Sequence, residues 1–226
     1  MKKLEDYLYY EEKNPDLKIY CGDCLEILPL LPKVDLVVTD PPYGIGYDKQ
    51  QNKMAKSGRI SNGGKWKQYD ETDWDKSVPS DEVISLVISK AKDSIIWGGN
   101  YFNLPAKSKW LIWNKVQRSF MTDGEMAWTT FKGQVSIFDM ARTDAYINSG
   151  MKKEHPTQKP IELIRWSIQQ CKYWDKALSI LDPFMGSGTT LVACKELNRN
   201  GIGIEISEKY CAIAKQRLKA TTKSLF

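Results

Sequence analysis

Leu178-Ser179-Ile180-Leu181-Asp182-Pro183-Phe184-Met185-Gly186-Ser187-Gly188-Thr189-Thr190 is the stretch on which the fold turns. Its first five residues are an apolar run short enough for a buried strand, ended by Pro183. Gly186 and Gly188 then supply a turn, and Thr189-Thr190-Leu191-Val192-Ala193 opens a helix. A strand, a glycine turn and a helix start in that order present backbone N–H groups to a ligand. The next apolar run, Gly201-Ile202-Gly203-Ile204-Glu205, reads as a second strand closed by a carboxylate.

Two familiar glycine motifs are excluded. No lysine follows the second glycine, so the turn is not a P-loop, and the third glycine of the dinucleotide fingerprint is missing. An acidic residue at the end of the following strand suits the hydroxyls of a ribose. The expected ligand therefore carries a ribose without needing phosphate contacts, which fits S-adenosylmethionine. The plainer reading, a glycine-rich strand–helix turn with no ligand, is weakened by the presence of Glu205.

A second constellation lies upstream. Val34-Asp35-Leu36-Val37-Val38-Thr39 is β-branched and reads as another buried strand, and Asp40-Pro41-Pro42-Tyr43-Gly44 follows it. Pro41 and Pro42 lack N–H groups and end the ladder, and each keeps the residue before it extended. A carboxylate, free backbone carbonyls and an aromatic ring are thus presented together at the carboxyl end of a strand, where open α/β sheets bind ligands.

The rest of the chain alternates in the same way. Strands are expected at Leu17–Tyr20, 94–97, 110–113 and 134–138, with helices over 24–28, 80–92, from Pro160 to Cys171, and over 207–219; residues 1–16 read as a short helix or arm. The alternation predicts an α/β fold with a mostly parallel sheet and helices on both faces. At 226 residues the chain suits one domain carrying an insertion at about 45–75. That insertion holds Lys49, Lys53, Lys56, Arg59, Lys65 and Lys67 with no acidic residue between the first and the last. Its place after the Asp40 turn favours nucleic-acid contact over a merely solvated loop.

Composition excludes several classes. Hydrophobic residues are 42% and charged residues 27%, as in ordinary globular proteins. The net charge of +5 permits a nucleic-acid partner without demanding one. No run is apolar enough to cross a membrane, and no signal peptide is visible at Met1–Asp6. Five cysteines and one histidine, His155, give no metal-ligand spacing, so no metal is expected and the thiols read as reduced and cytosolic.

With both constellations in hand, the chain resembles the DNA amino-methyltransferases of the group whose catalytic motif precedes the cofactor motif. Asp40-Pro41-Pro42-Tyr43 is similar to their catalytic tetrad and Phe184-x-Gly186-x-Gly188 to their cofactor motif. His155-Pro156-Thr157-Gln158-Lys159-Pro160 matches the loop before the cofactor strand, and Gly22-Asp23-Cys24 the segment at the adenine. The resemblance implies a Rossmann-like, S-adenosylmethionine-dependent methyltransferase fold: seven strands, the first two placed last in sequence. It implies that Asp182, Pro183, Phe184, Gly186, Ser187, Gly188, Thr189 and Thr190 hold the methionine end of the cofactor, helped by Asp40, Thr157, Gln158 and Lys159. Glu205 would take the ribose, and Asp23 with Cys24 the adenine edge.

Asp40 at the first tetrad position resembles the adenine-N6 members rather than the cytosine-N4 members. The implied partner is double-stranded DNA, with room for a homodimer, in the cytoplasm of a bacterium or encoded by a phage or mobile element. The segment at about 140–154, where the family usually reads its target sequence, is short. Cytosine-N4 methylation, amine methylation of RNA and a non-catalytic nucleic-acid-binding module are the competing readings.

Overall fold

In the computed structural model the described residues are 2–44, 60–61, 64–65, 78–116, 122–141, 158–176 and 178–222. Eleven strands lie among them: β1 Leu8–Glu12, β2 Leu17–Cys21, β3 Val34–Thr39, β4 Ile60–Ser61, β5 Gly64–Lys65, β6 Ala91–Trp97, β7 Trp110–Asn114, β8 Gly124–Thr129, β9 Ser136–Asp139, β10 Ser179–Asp182 and β11 Asn200–Glu205. The α-helices are α1 Cys24–Ile27, α2 Asp81–Ser89, α3 Ile161–Gln169, α4 Thr189–Glu196 and α5 Glu208–Ala220.

Nine strands form one sheet in the order β1-β2-β11-β10-β3-β6-β8-β7-β9, and β4 pairs with β5 apart from it. The run from β2 to β6 is parallel throughout. Strand β8 is antiparallel to both β6 and β7, and β1 is antiparallel to β2. The seven strands from β2 to β7 are the expected methyltransferase sheet, and β1 and β9 extend it at its two edges. Strands β10 and β11 lie near the centre although they come last in sequence.

Alternation along each strand explains the two layers. In β3, Leu36 and Val38 turn to the face covered by α3, α4 and α5, and Val37 turns to the other. Ile180 and Leu181 divide in the same way on β10. The first face meets Leu163, Ile164 and Ile168 of α3 and Leu191, Val192 and Ala193 of α4; the second meets Ile27 of α1 and Val87 of α2. Leu36, Val37 and Val38 are fully buried, and each such side chain contributes roughly 1.5–3 kcal/mol relative to exposure. Both faces of the central strands are covered, so their sequences read as unbroken apolar runs.

Register at the foot of the sheet is fixed by a polar clasp. Asp35 Oδ2 accepts from the Ser179 N–H at 3.0 Å and from its hydroxyl at 2.7 Å, and Lys92 Nζ lies 2.6 Å from Asp35 Oδ1. These contacts tie β3, β10 and β6 at their amino ends.

Two expectations are corrected here. Residues 8–12 form an edge strand, preceded by a 3₁₀ turn at Leu4–Tyr7, where a helix or arm was expected. Strand β8 was not expected at all, and it inserts between β6 and β7. The basic insertion falls outside the described residues except for β4 and β5.

Candidate active site

Residues at the carboxyl ends of the parallel strands β2, β11, β10 and β3 meet in one cleft. The turn from β10 to α4 forms its floor. Asp182 is buried, and its carboxylate serves the turn itself. Oδ1 accepts from the Thr39 hydroxyl at 2.8 Å and the Phe184 N–H at 3.1 Å, and Oδ2 accepts from the Thr190 hydroxyl at 2.6 Å. Burial nevertheless pushes its carboxyl up to about 6, because three neutral donors offset only part of the lost hydration.

Gly188 has φ +80°, and a Cβ there would lie 2.7 Å from the Cβ of Ala214 on α5. A glycine is therefore needed both for the backbone and for the approach of α5. From that helix the Arg217 guanidinium donates to the Ser187 carbonyl at 2.7 Å, the Ser187 hydroxyl at 3.0 Å and the Thr189 hydroxyl at 3.1 Å. The loop is thus held from outside the cleft while its inner edge stays open. Glu205 ends β11 opposite the loop, with Oε2 accepting from the Gly186 N–H at 3.0 Å and Oε1 from the Ser207 N–H at 2.8 Å. On the third side, Asp23 caps α1 by accepting from the Leu25 N–H at 2.8 Å. Burial raises the neighbouring Cys24 thiol to about 11, so it faces the cleft as a neutral group.

The Asp40 turn forms the opposite wall. Lys159, buried at the start of the segment leading to α3, places its ammonium 2.5 Å from Asp40 Oδ2 and 3.0 Å from Glu125 Oε2. Glu125 stands on β8, and its Oε1 lies 2.5 Å from the ammonium of Lys115, which is fully buried beyond β7. Tyr43 donates its hydroxyl to Asp40 Oδ1 and accepts from Lys159 at 3.3 Å. Burial opposes the charge on Lys159, but the Asp40 and Glu125 carboxylates more than offset it and hold the ammonium well above its ordinary value. Burial also works against Glu125, and its two lysine partners override this to bring it to about 2. Asp40 is raised by burial, and Lys159 opposes the shift. The Lys159 ammonium in contact with it favours the ionised carboxylate.

The ring of Tyr43 stacks on Tyr101 with centroids 4.8 Å apart and planes 17° from parallel. Its face is therefore shared with a half-exposed ring that the sequence did not single out.

The cleft measures about 360 Å³, within the range of small-molecule sites. Asp23, Cys24, Asp40, Pro42, Gln158, Lys159, Asp182, Pro183, Phe184, Gly186, Ser187, Thr189, Thr190 and Glu205 all line it, so most of the sequence-derived site converges. Pro41 and Tyr43 stand behind the wall rather than on it. Thr157 and the basic residues Lys49, Lys53, Lys56, Arg59 and Lys67 lie outside the described residues, as does the side chain of Lys65. Lys159, expected at a cofactor carboxylate, directs its ammonium to Asp40 and Glu125. Glu125, Lys115 and Arg217 carry no motif and were missed; only packing brings them to the site.

A family described as "DNA methylase" matches residues 107–216. The chain is 28% identical to the type II methyltransferase M.ScaI of Streptomyces caespitosus, over 100% of this chain and 88% of that protein. Among solved structures, the M1.HpyAVI–SAM complex superposes with a TM-score of 0.56 at 24% identity, covering 89% of this chain and 100% of that one. PvuII DNA methyltransferase, described as cytosine-N4-specific, gives a TM-score of 0.56 at 17% identity over 89% of this chain and 86% of that one. With β10 and β11 at the centre of its sheet, its two facing motifs and these likenesses, the chain is similar to the DNA amino-methyltransferases.

Proposed function

We propose that the protein transfers a methyl group from S-adenosylmethionine to the exocyclic N6 amine of adenine in double-stranded DNA. The observation that carries this reading is the hydrogen bond from Thr39 to Asp182. It fixes the Asp40 turn beside the glycine loop, so a donor-binding floor and an amine-binding wall share one cleft.

The residues present fit the donor. Gly186 brings the backbone of the loop to the cleft with no side chain of its own. Glu205 lines the cleft as a carboxylate acceptor for a ribose, and Phe184 and the neutral Cys24 offer an apolar flank for a purine. When bound, S-adenosylmethionine supplies an electrophilic methyl on a sulfonium.

An aromatic amine is a weak nucleophile because its lone pair is delocalised into the ring. Asp40 lines the cleft, and in this reading it and the carbonyl of the adjoining Pro41 would accept the two N–H bonds of the amine, which localises the lone pair on nitrogen. Each Asp40 oxygen has one hydrogen-bond partner from the protein and can take a second. Its negative charge also faces the ammonium that develops on nitrogen, an electrostatic stabilisation present before reaction begins. Holding amine and donor together adds orientation. The amine is not reachable within a stacked duplex, so the base must leave the helix at a cost of about a few kcal/mol. The Tyr43–Tyr101 pair stands nearby as an aromatic surface for it. The six basic residues between Lys49 and Lys67 support DNA as the substrate through phosphate contacts.

Asp40 favours adenine over cytosine, whereas the fold is shared with a cytosine-N4 enzyme and does not discriminate. Labelled-methyl transfer into A·T-only and G·C-only duplexes, with an RNA duplex beside them, tests the assignment. Label in the A·T polymer is expected; label in the G·C polymer alone, or only in RNA, would overturn it.

A further inference from the structure

The wall behind Asp40 is a chain of alternating charges. Lys115, Glu125, Lys159 and Asp40 follow one another at 2.5, 3.0 and 2.5 Å, two cations and two anions among the described residues. Both lysines are buried, whereas the Glu125 and Asp40 side chains are 25% and 21% exposed. Glu125 does not line the cleft. Its Oε2, although 3.0 Å from Lys159, lies outside hydrogen-bond geometry, so the directed bonds of that ammonium go to Asp40 and Tyr43. What Glu125 gives Lys159 is charge compensation.

We propose that Glu125 is a positioning residue for methyl transfer: by compensating Lys159 it leaves the charge of Asp40 to the substrate amine. Lys159 holds the Asp40 carboxylate in place, but a lone cation there would cancel the field that the developing ammonium needs. Glu125 resolves the conflict, and Lys115 holds Glu125 ionised and fixed. Removing the Glu125 charge would leave two lysiniums facing one carboxylate beside an amine that becomes positive in the transition state. Removing Lys115 as well would restore neutrality among the remaining groups.

This inference rests on the methyltransferase reading and is tested with the same labelled-methyl assay. Glu125→Gln is expected to lower kcat roughly 30-fold, with KM for S-adenosylmethionine changed less than about threefold. Adding Lys115→Met to Glu125→Gln removes one of the two cations left facing Asp40 and should recover at least about fivefold of the lost kcat, because the two substitutions act through charge. A double variant no more active than Glu125→Gln alone would mean that Glu125 serves only packing, and would overturn the proposal. If Glu125→Gln alone melts too low to assay, Glu125→Asp, which keeps the charge, decides: kcat within about threefold of the parent is expected, and a loss of about tenfold or more overturns it. A parent protein that binds S-adenosylmethionine by calorimetry but methylates no nucleic acid would instead sink the function. Active parent enzyme with no recovery in the double variant sinks only the role of Glu125.

Discussion

Gly98 lies so close to Tyr43 that a Cβ built on it would overlap the tyrosine ring. Its φ of +68° is left-handed as well, so two constraints meet at the end of β6. Gly98→Ala is therefore expected to push Tyr43 off its bond to Asp40. Turnover should fall at least about tenfold while S-adenosylmethionine affinity, measured by calorimetry, stays near that of the parent. The backbone strain should cost roughly 1–2 kcal/mol in urea unfolding. An alanine variant with unchanged turnover would show that the ring position is immaterial to catalysis.

Asp40→Ala removes the proposed amine acceptor and leaves Glu125 as the carboxylate paired with Lys159 among the described residues. Transfer should drop below detection, and cofactor binding should survive, since Gly186 and Glu205 are untouched. Near-normal turnover would remove Asp40 from the mechanism.

Arg217 reaches the glycine loop from α5 through three acceptors on Ser187 and Thr189. Arg217→Ala should loosen that loop and weaken S-adenosylmethionine binding roughly tenfold, with stability falling by about 1–3 kcal/mol. All three contacts come from the single nitrogen Nη1, and a lysine ammonium also carries its donors on one nitrogen, so Arg217→Lys should restore much of the binding. Calorimetry together with a urea titration of both variants provides the check.

The carboxyl of Asp182 stands at about 6 in the folded protein against an ordinary 3.8. The folded state then holds its proton where the unfolded state has lost it. Stability should therefore decline as pH rises from about 4 to 6 and level off above, by on the order of 3 kcal/mol from this group. Glu125 acts with opposite sign: its lowered value contributes stability above about 4.5 that is lost as pH falls towards 2. Urea unfolding across pH should show the upper slope flattened in Asp182→Asn. An unaltered slope in that variant would assign it to other groups.

Much of the cofactor half was legible in the sequence, because a strand, two glycines and a helix start are local signals, and Glu205 follows at the end of the next strand. The Asp40 turn was legible for the same reason, since prolines write their geometry into the chain. Strand β8 was not: Gly124 and Glu125 break its apolar pattern, and only its sheet neighbours β6 and β7 make it a strand. The roles of Glu125 and Lys115 followed it into obscurity, because a charge becomes structural only when distant partners neutralise it. Lys159 was found by its motif, but a loop sequence does not say which carboxylates its ammonium will meet.

Neutralising Lys53, Lys56 and Arg59 together should weaken DNA binding and flatten its dependence on salt. The logarithmic slope should fall by about 0.9 for each phosphate that the protein no longer neutralises. Fluorescence anisotropy at graded salt gives the slope. An unchanged slope would return that segment to a solvated insertion.

The placement of β10 and β11 between β2 and β3 has a consequence for how the protein is made. During synthesis β2 emerges with only β1 beside it, and β3 with only β6 to follow. The two strands that bridge them leave the ribosome long afterwards. The sheet is thus closed from its flanks inward, by the segments that also carry the glycine loop. An unfinished chain holds the Asp40 turn with no floor facing it, and closure has to wait for pairings of large sequence separation, which are intrinsically slow to form. Completion of the cleft and completion of the fold arrive in one late event.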